Sequence, residues 1–285
     1  MERVSGRPSL HTCEALSILS MNSKNFEKKL REENYAPNTI LAYLYAVQDF
    51  FVRYGTLNKE NVLRYKTFLM ENYKPRTVNL RIRGVNKYLE FTGHPELSAQ
   101  VVRIPRSSFL ENVITNEDYL FFKRCLKKEK DLRWYFVVWT LAATGARISE
   151  LLQIRIEDVR DGHFDIYSKG GKYRRIYIPA KLRKQLLQWQ VKESGYLFLN
   201  ARGKRITPRG LSMRLKAFAL KYGIDPSVVH PHSFRHLYAK NFLRKNKDLV
   251  LLADLMGHES IDTTRIYLQQ STREQSALIN RIVDW

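Results

Sequence analysis

The chain has 285 residues, of which 44% are hydrophobic and 12% aromatic. This is enough apolar material for one large or two ordinary folded domains, and it excludes a disordered chain. Its 49 lysines and arginines outnumber 28 aspartates and glutamates, for a formal net charge of +21 shared by both halves. Such a surface suits a long polyanion, so we predict a nucleic-acid partner in preference to a merely soluble basic protein.

The N-terminal half carries the spacing of amphipathic helices. Residues 1–21 show little periodicity and are interpreted as an N-terminal arm. A cap-like Asn38 after Pro37 is expected to open the second helix, and Gly55 is a natural stop for it. We predict a domain of four helices over residues 22–104, whose Lys, Arg and Tyr side chains fit contact with a phosphate backbone.

The C-terminal half mixes helices with one short β-hairpin. A stretch with prolines and small polar residues precedes it, and we place the linker at residues 105–111 and the second domain at 112–285. Thr115 resembles a helix cap, and a nearly all-apolar helix stops at Gly145. A strand, a glycine-rich turn and a second strand follow before helices resume. The predicted fold class is therefore mainly α with a small β-sheet, in two domains of which the second is α+β.

Cysteine usage and hydropathy give no sign of secretion or membrane insertion. Cys13 and Cys125 are the only cysteines, too few for a disulfide framework or a cysteine metal site. The longest apolar run, interrupted by Thr140, is too short to span a bilayer. The N-terminus lacks a clear signal-peptide pattern. We predict a soluble, cytoplasmic protein.

The first candidate motif, TGARISE, places an arginine at a helix start. Arg147 follows a helix-breaking glycine, where exposed backbone N–H groups favour an anion. The alternative interpretation is an ordinary ion pair between Arg147 and Glu150 on the first helical turn. The motif alone does not decide between the two.

The second motif is the hairpin YSKGGKYRRIYIP. Lys169 and Lys172 lie at its turn, and a lysine there is able to reach into a groove and donate a proton. Charged hairpin tips are common, so a solvated turn is the more frequent explanation of either lysine alone.

The third motif, HPHSFRH, contains three histidines and an arginine. His232 and His236 have the four-residue spacing of a zinc pair, but the glutamate of an HExxH motif is missing. His232 and Arg235 share one helix face, which favours phosphate binding over a metal. His236 is predicted to lie on a different side of the helix and to pack against apolar neighbours.

The fourth motif, LMGHESIDTTRIY, contains His258 and, nine residues later, Tyr267. Its helix, turn and helix pass for a DNA-reading helix–turn–helix. Taken alone, a tyrosine between isoleucine and leucine is more often a core residue than a nucleophile.

The four motifs together resemble those of the tyrosine recombinases, the phage integrase and Xer-type site-specific recombinases. The resemblance covers residues 112–285 in motif order. It extends more weakly to residues 22–104, which resemble the helical core-binding domain of that family. Four motifs in register are highly specific, so the combination outweighs the ordinary interpretation of each segment.

The resemblance implies a role for each motif residue. Tyr267 becomes the nucleophile that forms a 3′-phosphotyrosyl linkage, and Lys169 the general acid, with Lys172 as the alternative donor. Ser168 stands where the family commonly has glycine, and Glu150 matches the acidic residue that supports the site. The residues that match those holding the scissile phosphate are Arg147, His232, Arg235 and His258.

The resemblance also implies the partners. It implies duplex DNA and a tetramer on two DNA sites, with C-terminal helices docking into neighbours. Residues 271–285 are the candidate for this element, through Leu278, Ile282 and Trp285, and the alternative is a helix that folds back on its own domain. The chain offers no carboxylate cluster for a metal, so we expect no metal or cofactor. A covalent intermediate keeps the phosphodiester energy, so ATP is not needed.

Three rival functions remain open at this stage. They are a non-catalytic DNA-binding protein of the same fold, a type IB topoisomerase and a histidine-ligated metal nuclease.

Overall fold

A computed structural model describes residues 22–104, 112–167, 173–190, 192–258, 260–268, 276 and 279–283. The chain divides into two compact units, Met1–Arg106 and Ser107–Trp285. The predicted arm (1–21) and linker (105–111) lie outside the described residues. None of the helices in the described ranges combines the length and apolarity that spanning a bilayer requires.

Over residues 22–104, the N-terminal unit consists of four helices and a short 3-10 turn. They are α1 (22–32), α2 (Pro37–Tyr54), α3 (Lys59–Asn72), α4 (Pro75–Phe91) and the turn Pro95–Leu97. The side chains that fill the core between them are fully buried and include Phe50, Tyr65, Leu69, Ile82 and Leu89. The predicted four helices are confirmed.

The start of α2 differs from the prediction. Asn38 does not cap the helix: Ala36 is the N-cap residue, without a side-chain cap, and Pro37 is the first helical residue. A proline at this position loses no hydrogen bond, and its fixed φ already matches the helix. The predicted stop at Gly55 is confirmed, because its N–H bonds the carbonyl of Phe51 at a φ of 68°.

The described residues of the second unit contain nine helices up to residue 265, a short helical segment at 279–282 and one pair of antiparallel strands. The elements are α5 (Asn116–Lys128), α6 (Leu132–Thr144), α7 (Ile148–Leu151), α8 (Ile156–Asp161), β1 (His163–Tyr167), β2 (Tyr173–Tyr177), α9 (Ala180–Trp189), α10 (Pro208–Lys221), α11 (Pro231–Lys245), α12 (Leu249–Met256), α13 (Ile261–Arg265) and the 3-10 turn Ile266–Leu268. The strands are antiparallel, with His163 opposite Tyr177 and Tyr167 opposite Tyr173. A mainly α fold with a small β-sheet is thus confirmed.

Helix α6 is the centre of this unit because it is apolar almost all round. Eight of its residues are buried, and α11 packs along it. On the other side of α11, a smaller core joins Ala239, Leu243, Leu252, Met256 and Tyr267. Helix α11 therefore lies between the main core and the segment that carries the candidate tyrosine.

Gly145 ends α6 in a left-handed conformation, with a φ of 64°, and packs tightly on α11. A Cβ added here would lie 2.5 Å from Cδ1 of Tyr238. We expect Gly145→Ala to lower the free energy of unfolding by about 2–4 kcal/mol, because backbone strain and overpacking add. Chemical denaturation measures this loss.

Gly223→Ala is the matched control for that measurement. Gly223 has a similar φ of 68°, but an added Cβ would meet nothing within 4 Å. It should lose only the backbone share, about 1–2 kcal/mol. Equal losses in the two variants would contradict the close packing of Gly145 on Tyr238.

Candidate active site

Arg147 and Glu150 form one rigid unit at the start of α7. The Glu150 carboxylate accepts hydrogen bonds from the Arg147 N–H at 2.7 Å and from its Nη1 at 2.8 Å. The Arg147 side chain remains 42% exposed, whereas Glu150 is 8% exposed. The ion pair with Glu150 is therefore present, and the paired arginine still presents its guanidinium to solvent.

Arg235 lies one turn into α11 and is only 1% exposed. Its Nη1 donates to the Gly145 carbonyl at 2.6 Å, and its Nη2 donates to the Met256 carbonyl at 2.5 Å. Desolvation and the nearby charge of Arg147 lower the pKa of Arg235 to about 10, so the guanidinium stays charged at neutral pH. Backbone carbonyls that end α6 and α12 thus hold a buried cation in place.

His258 follows the left-handed Gly257 at the end of α12. Its Nε2 lies 3.2 Å from Nη2 of Arg235, and its Nδ1 lies 2.8 Å from Oγ1 of Thr264. Because arginine only donates, Nε2 accepts and Nδ1 carries the proton. Desolvation and the charges of Arg235 and Arg147 lower the pKa of His258 to about 4, in agreement with a neutral ring.

Tyr267 lies in the 3-10 turn after α13 and is 4% exposed. Its ring is nearly parallel to that of His258, with centroids 5.9 Å apart, and meets the ring of His236 at 5.1 Å. Burial raises the pKa of the Tyr267 hydroxyl, while the charge and hydrogen bonding of Arg235 oppose this rise. Tyr267 is thus a core residue by packing and also the neighbour of the buried arginine.

The two histidines of α11 contact each other. The rings of His232 and His236 are 4.4 Å apart and almost perpendicular. The prediction that His236 lies on a different side is wrong, because residues four apart return to the same helix face. His236 is buried as expected, but against Tyr267 and His232, and its Nδ1 has no hydrogen-bond partner. The four-residue spacing of His232 and His236 in the sequence already indicated that the two rings share a face of the helix.

The hairpin turn that carries Ser168, Lys169 and Lys172 lies outside the described residues. The strands beside it are described, and β2 supplies two arginines that the sequence analysis gave no role. Arg175 pairs with Asp165 of β1 at 2.8 Å. Arg174 instead points to the site and contacts the Glu150 carboxylate.

An open cleft of about 940 Å³ lies over these groups. Its lining includes Arg147, Tyr173, Arg174, Gly257 and His258. Within the described ranges, no group of three or more His, Cys, Asp or Glu side chains is arranged to hold a metal ion. The charged groups that converge here are mainly cations, which is the arrangement expected for binding a phosphate.

The buried histidine predicts how stability responds to acid. Desolvation and the charge of His232 lower the pKa of His236 to about 3, whereas an unfolded histidine titrates near 6.5. The unfolded chain therefore binds the proton first, and stability is lost as the pH falls from about 6.5 toward 3. Removing His236 should make this loss shallower, by up to about 1 kcal/mol per pH unit.

The measurement is the free energy of unfolding of the wild type and of His236→Gln at several pH values. Above about pH 7, His236 should no longer affect how the free energy of unfolding changes with pH in either protein, and this range is the internal control. His258 acts in the same direction, so some acid sensitivity should persist in the variant. An unchanged slope in His236→Gln would contradict the buried, neutral state of this ring.

Sequence comparisons place the chain in a known family. A sequence model of the phage integrase family matches residues 113–274. The tyrosine recombinase XerA of Pyrococcus furiosus is 30% identical over 269 residues, which cover 90% of this chain and 92% of that protein. The tyrosine recombinase XerC of Bacillus subtilis is 29% identical over 287 residues, 88% of this chain and 93% of that protein. The chain therefore belongs to the phage integrase family of tyrosine recombinases, enzymes that break and rejoin DNA.

Solved structures share the fold. XerH recombinase bound to its difH substrate has a TM-score of 0.67 at 19% identity, with 92% of this chain and 85% of that chain covered. A lambda integrase dimer bound to a core site has a TM-score of 0.69 at 15% identity, with 90% and 96% covered. The resemblance drawn from the four motifs is thus confirmed at the level of family and fold.

Proposed function

We propose that this protein is a site-specific recombinase that cuts and rejoins duplex DNA through a 3′-phosphotyrosyl intermediate on Tyr267, without metal or ATP. One observation carries the proposal. Arg147, Arg235 and the pair His258 and Tyr267 come from three separate segments of the chain, yet a series of contacts joins them. The rings of Tyr267 and His258 stack, His258 meets Arg235, and Arg147 donates to the carbonyl beside His258 at 3.3 Å.

In this proposal, Arg147 and Arg235 hold the scissile phosphate. Attack on a phosphodiester concentrates negative charge on its nonbridging oxygens, and fixed guanidinium donors stabilise that charge without reorganising. Each such donor contributes on the order of 3 kcal/mol to the transition state. His232 adds an imidazole donor at the edge of the pair, and His258 takes part by accepting the Arg235 hydrogen bond at its Nε2. Glu150 orients Arg147 through its two hydrogen bonds.

Tyr267 is the proposed nucleophile. Its hydroxyl releases its proton to solvent, and the phenolate Oη, stabilised by Arg235, forms the bond to phosphorus as the bond to the 5′ oxygen breaks. Lys169 gives the departing oxygen its proton. Lys172 remains the alternative donor. The phosphotyrosyl bond retains the energy of the phosphodiester, so that the 5′ hydroxyl of another strand is able to reverse the step. The donor set supports metal-independent chemistry, since the guanidinium groups of Arg147 and Arg235 supply the positive charge.

We propose duplex DNA as the substrate and a tetramer on two DNA sites as the active assembly. The net charge of +21 supports a DNA partner, as does the fold shared with recombinases solved on DNA. In this proposal residues 22–104 form the core-binding domain and residues 112–285 the catalytic domain. Ile282 is 54% exposed, which supports docking of the C-terminal segment in a neighbour. Leu278 and Trp285 lie outside the described residues.

The test uses nicked duplexes of randomised sequence, incubated with the full chain in EDTA. Cleavage beside the nick releases a short fragment and traps the covalent intermediate. We expect a protein–DNA adduct that survives denaturation, and peptide mass spectrometry should locate the nucleotide on Tyr267. Sequencing the trapped DNA then reveals the preferred site.

Other outcomes of this test support the rival functions. An absence of adduct across the pool, together with tight DNA binding, would indicate a non-catalytic DNA-binding protein. Adducts on unrelated sequences, with relaxation of any supercoiled plasmid, would indicate a topoisomerase. Cleavage only after divalent ions are added would indicate a metal nuclease.

A further inference from the structure

The last turn of α12 is held by three arginines from three different elements. Arg174 of β2 donates to the Leu255 carbonyl at 2.8 Å. Arg235 of α11 donates to the next carbonyl, of Met256, and Arg147 to the one after it, of Gly257. A helix C-terminus leaves its last carbonyls without intrahelical partners, and its dipole favours cations. The first of these arginines has no role in the proposed chemistry.

Arg174 also contacts the carboxylate that orients Arg147. Its Nη2 bonds Oε2 of Glu150, the oxygen that accepts the Arg147 N–H. The other oxygen, Oε1, bonds the Arg147 guanidinium. Glu150 therefore accepts hydrogen bonds from both arginines, and Arg174 holds the oxygen that does not bind the Arg147 guanidinium.

The surroundings of Arg174 leave it little freedom to move. Its side chain is 9% exposed and its Nε has no hydrogen-bond partner. Its Cδ packs on Gly257, where an added Cβ would overlap it, and Gly257 itself adopts a φ of 60°. A buried charge costs several kcal/mol to desolvate, and an ion pair often stabilises a fold no better than apolar side chains. The buried ion pair between Arg174 and Glu150 is therefore not explained by stability alone.

We propose that Arg174 is a positioning residue for the phosphate-binding site. It clamps β2 to the end of α12 and holds Glu150 so that Arg147 faces the phosphate. This inference rests on the proposed function, because it assigns Arg174 an effect on the same strand-cleavage step. It adds a residue that acts through Glu150, with the Leu255 carbonyl of α12 as its second anchor.

The test compares Arg174→Gln, Glu150→Gln and the double variant in single-turnover cleavage of a nicked duplex that the wild type cleaves. We expect each single change to slow adduct formation about 100-fold, since small misplacements of catalytic groups have effects of this size. Because Arg174 acts through Glu150, the double variant should be within about threefold of the slower single variant. Arg174→Lys should recover only part of the rate, because an ammonium lacks the planar fork that reaches both partners.

Two further readouts separate positioning from loss of folding. Misplacement lowers the rate constant but preserves DNA affinity and the final amount of adduct, whereas unfolding lowers that amount. Arg175→Gln is the matched control: it removes the next arginine on the same strand, whose partner Asp165 lies within the hairpin. Its loss of rate should be at least about tenfold smaller.

Two results would overturn the inference while leaving the proposed function intact. In the first, the wild type forms the Tyr267 adduct, but Arg174→Gln and Arg175→Gln slow cleavage by the same factor. The other is a double variant whose loss is the product of the single losses, since independent effects multiply. A wild type that forms no adduct on any duplex contradicts the proposed function itself.

Discussion

Tyr267→Phe is expected to abolish the covalent protein–DNA adduct and with it all strand exchange. Phenylalanine keeps the ring that packs between His258 and His236 but removes the oxygen that would bond phosphorus. The fold and the DNA affinity should therefore persist, because the buried ring contributes most of the packing at this position. Denaturing gels of nicked-substrate reactions, beside binding isotherms, measure both properties.

Tyr238→Phe is the control for this prediction. Tyr238 is another tyrosine of the same unit, and it packs on Gly145 and in the core around Tyr267. Removing its hydroxyl should leave adduct formation near the wild-type rate. An adduct formed by Tyr267→Phe, or lost only in Tyr238→Phe, would show that the nucleophile is another residue.

Arg235→Gln is expected to slow cleavage about 1,000-fold, the upper end of the effect of removing one transition-state donor. The variant loses the charge next to the phosphate and also the bonds to the carbonyls of Gly145 and Met256. Those carbonyls would be left buried with poorer partners, so a loss of stability of about 1–3 kcal/mol should accompany the slower chemistry. Single-turnover rates and chemical denaturation measure the two effects separately.

Arg235→Lys separates charge from geometry at this position. A lysine keeps the charge but presents a single ammonium, which lacks the planar fork that bonds both carbonyls and would bind the phosphate in the proposed mechanism. We expect it to remain at least about tenfold slower than wild type. If lysine restored the full rate, the fixed guanidinium geometry would have no role, and the site would need only a diffuse positive charge.

The burial of Tyr267 affects the protonation of its hydroxyl group. Desolvation favours the neutral hydroxyl, whereas the adjacent Arg235 favours the phenolate. The same arginine is the proposed partner of the phosphate, so one cation serves both the nucleophile and the group that it attacks. In the proposed mechanism, this proximity would allow a tyrosine in a small apolar core to take part in chemistry on a charged substrate.

The local sequence determined much of the fold, because the signals are short-range. The stops at Gly55 and Gly145 depend on backbone conformations that glycine adopts easily, and the hairpin follows from strands on either side of a glycine-rich turn. The family also followed from sequence, since four motifs in fixed order are specific even where each alone is ambiguous. The prediction at Asn38 was wrong because Pro37, the residue before it, already starts the helix, so that a polar cap at Asn38 is not needed.

The tertiary structure decided which side chains meet. No spacing in the sequence indicates that carbonyls at the ends of α6 and α12 hold Arg235. Nor does it indicate that Arg174 of β2 contacts both Glu150 of α7 and Leu255 of α12. Contacts of this kind join residues that are far apart in the chain, and they exist only once the helices have packed. Sequence periodicity reports which face of an element is buried, whereas packing alone selects the partner that it is buried against.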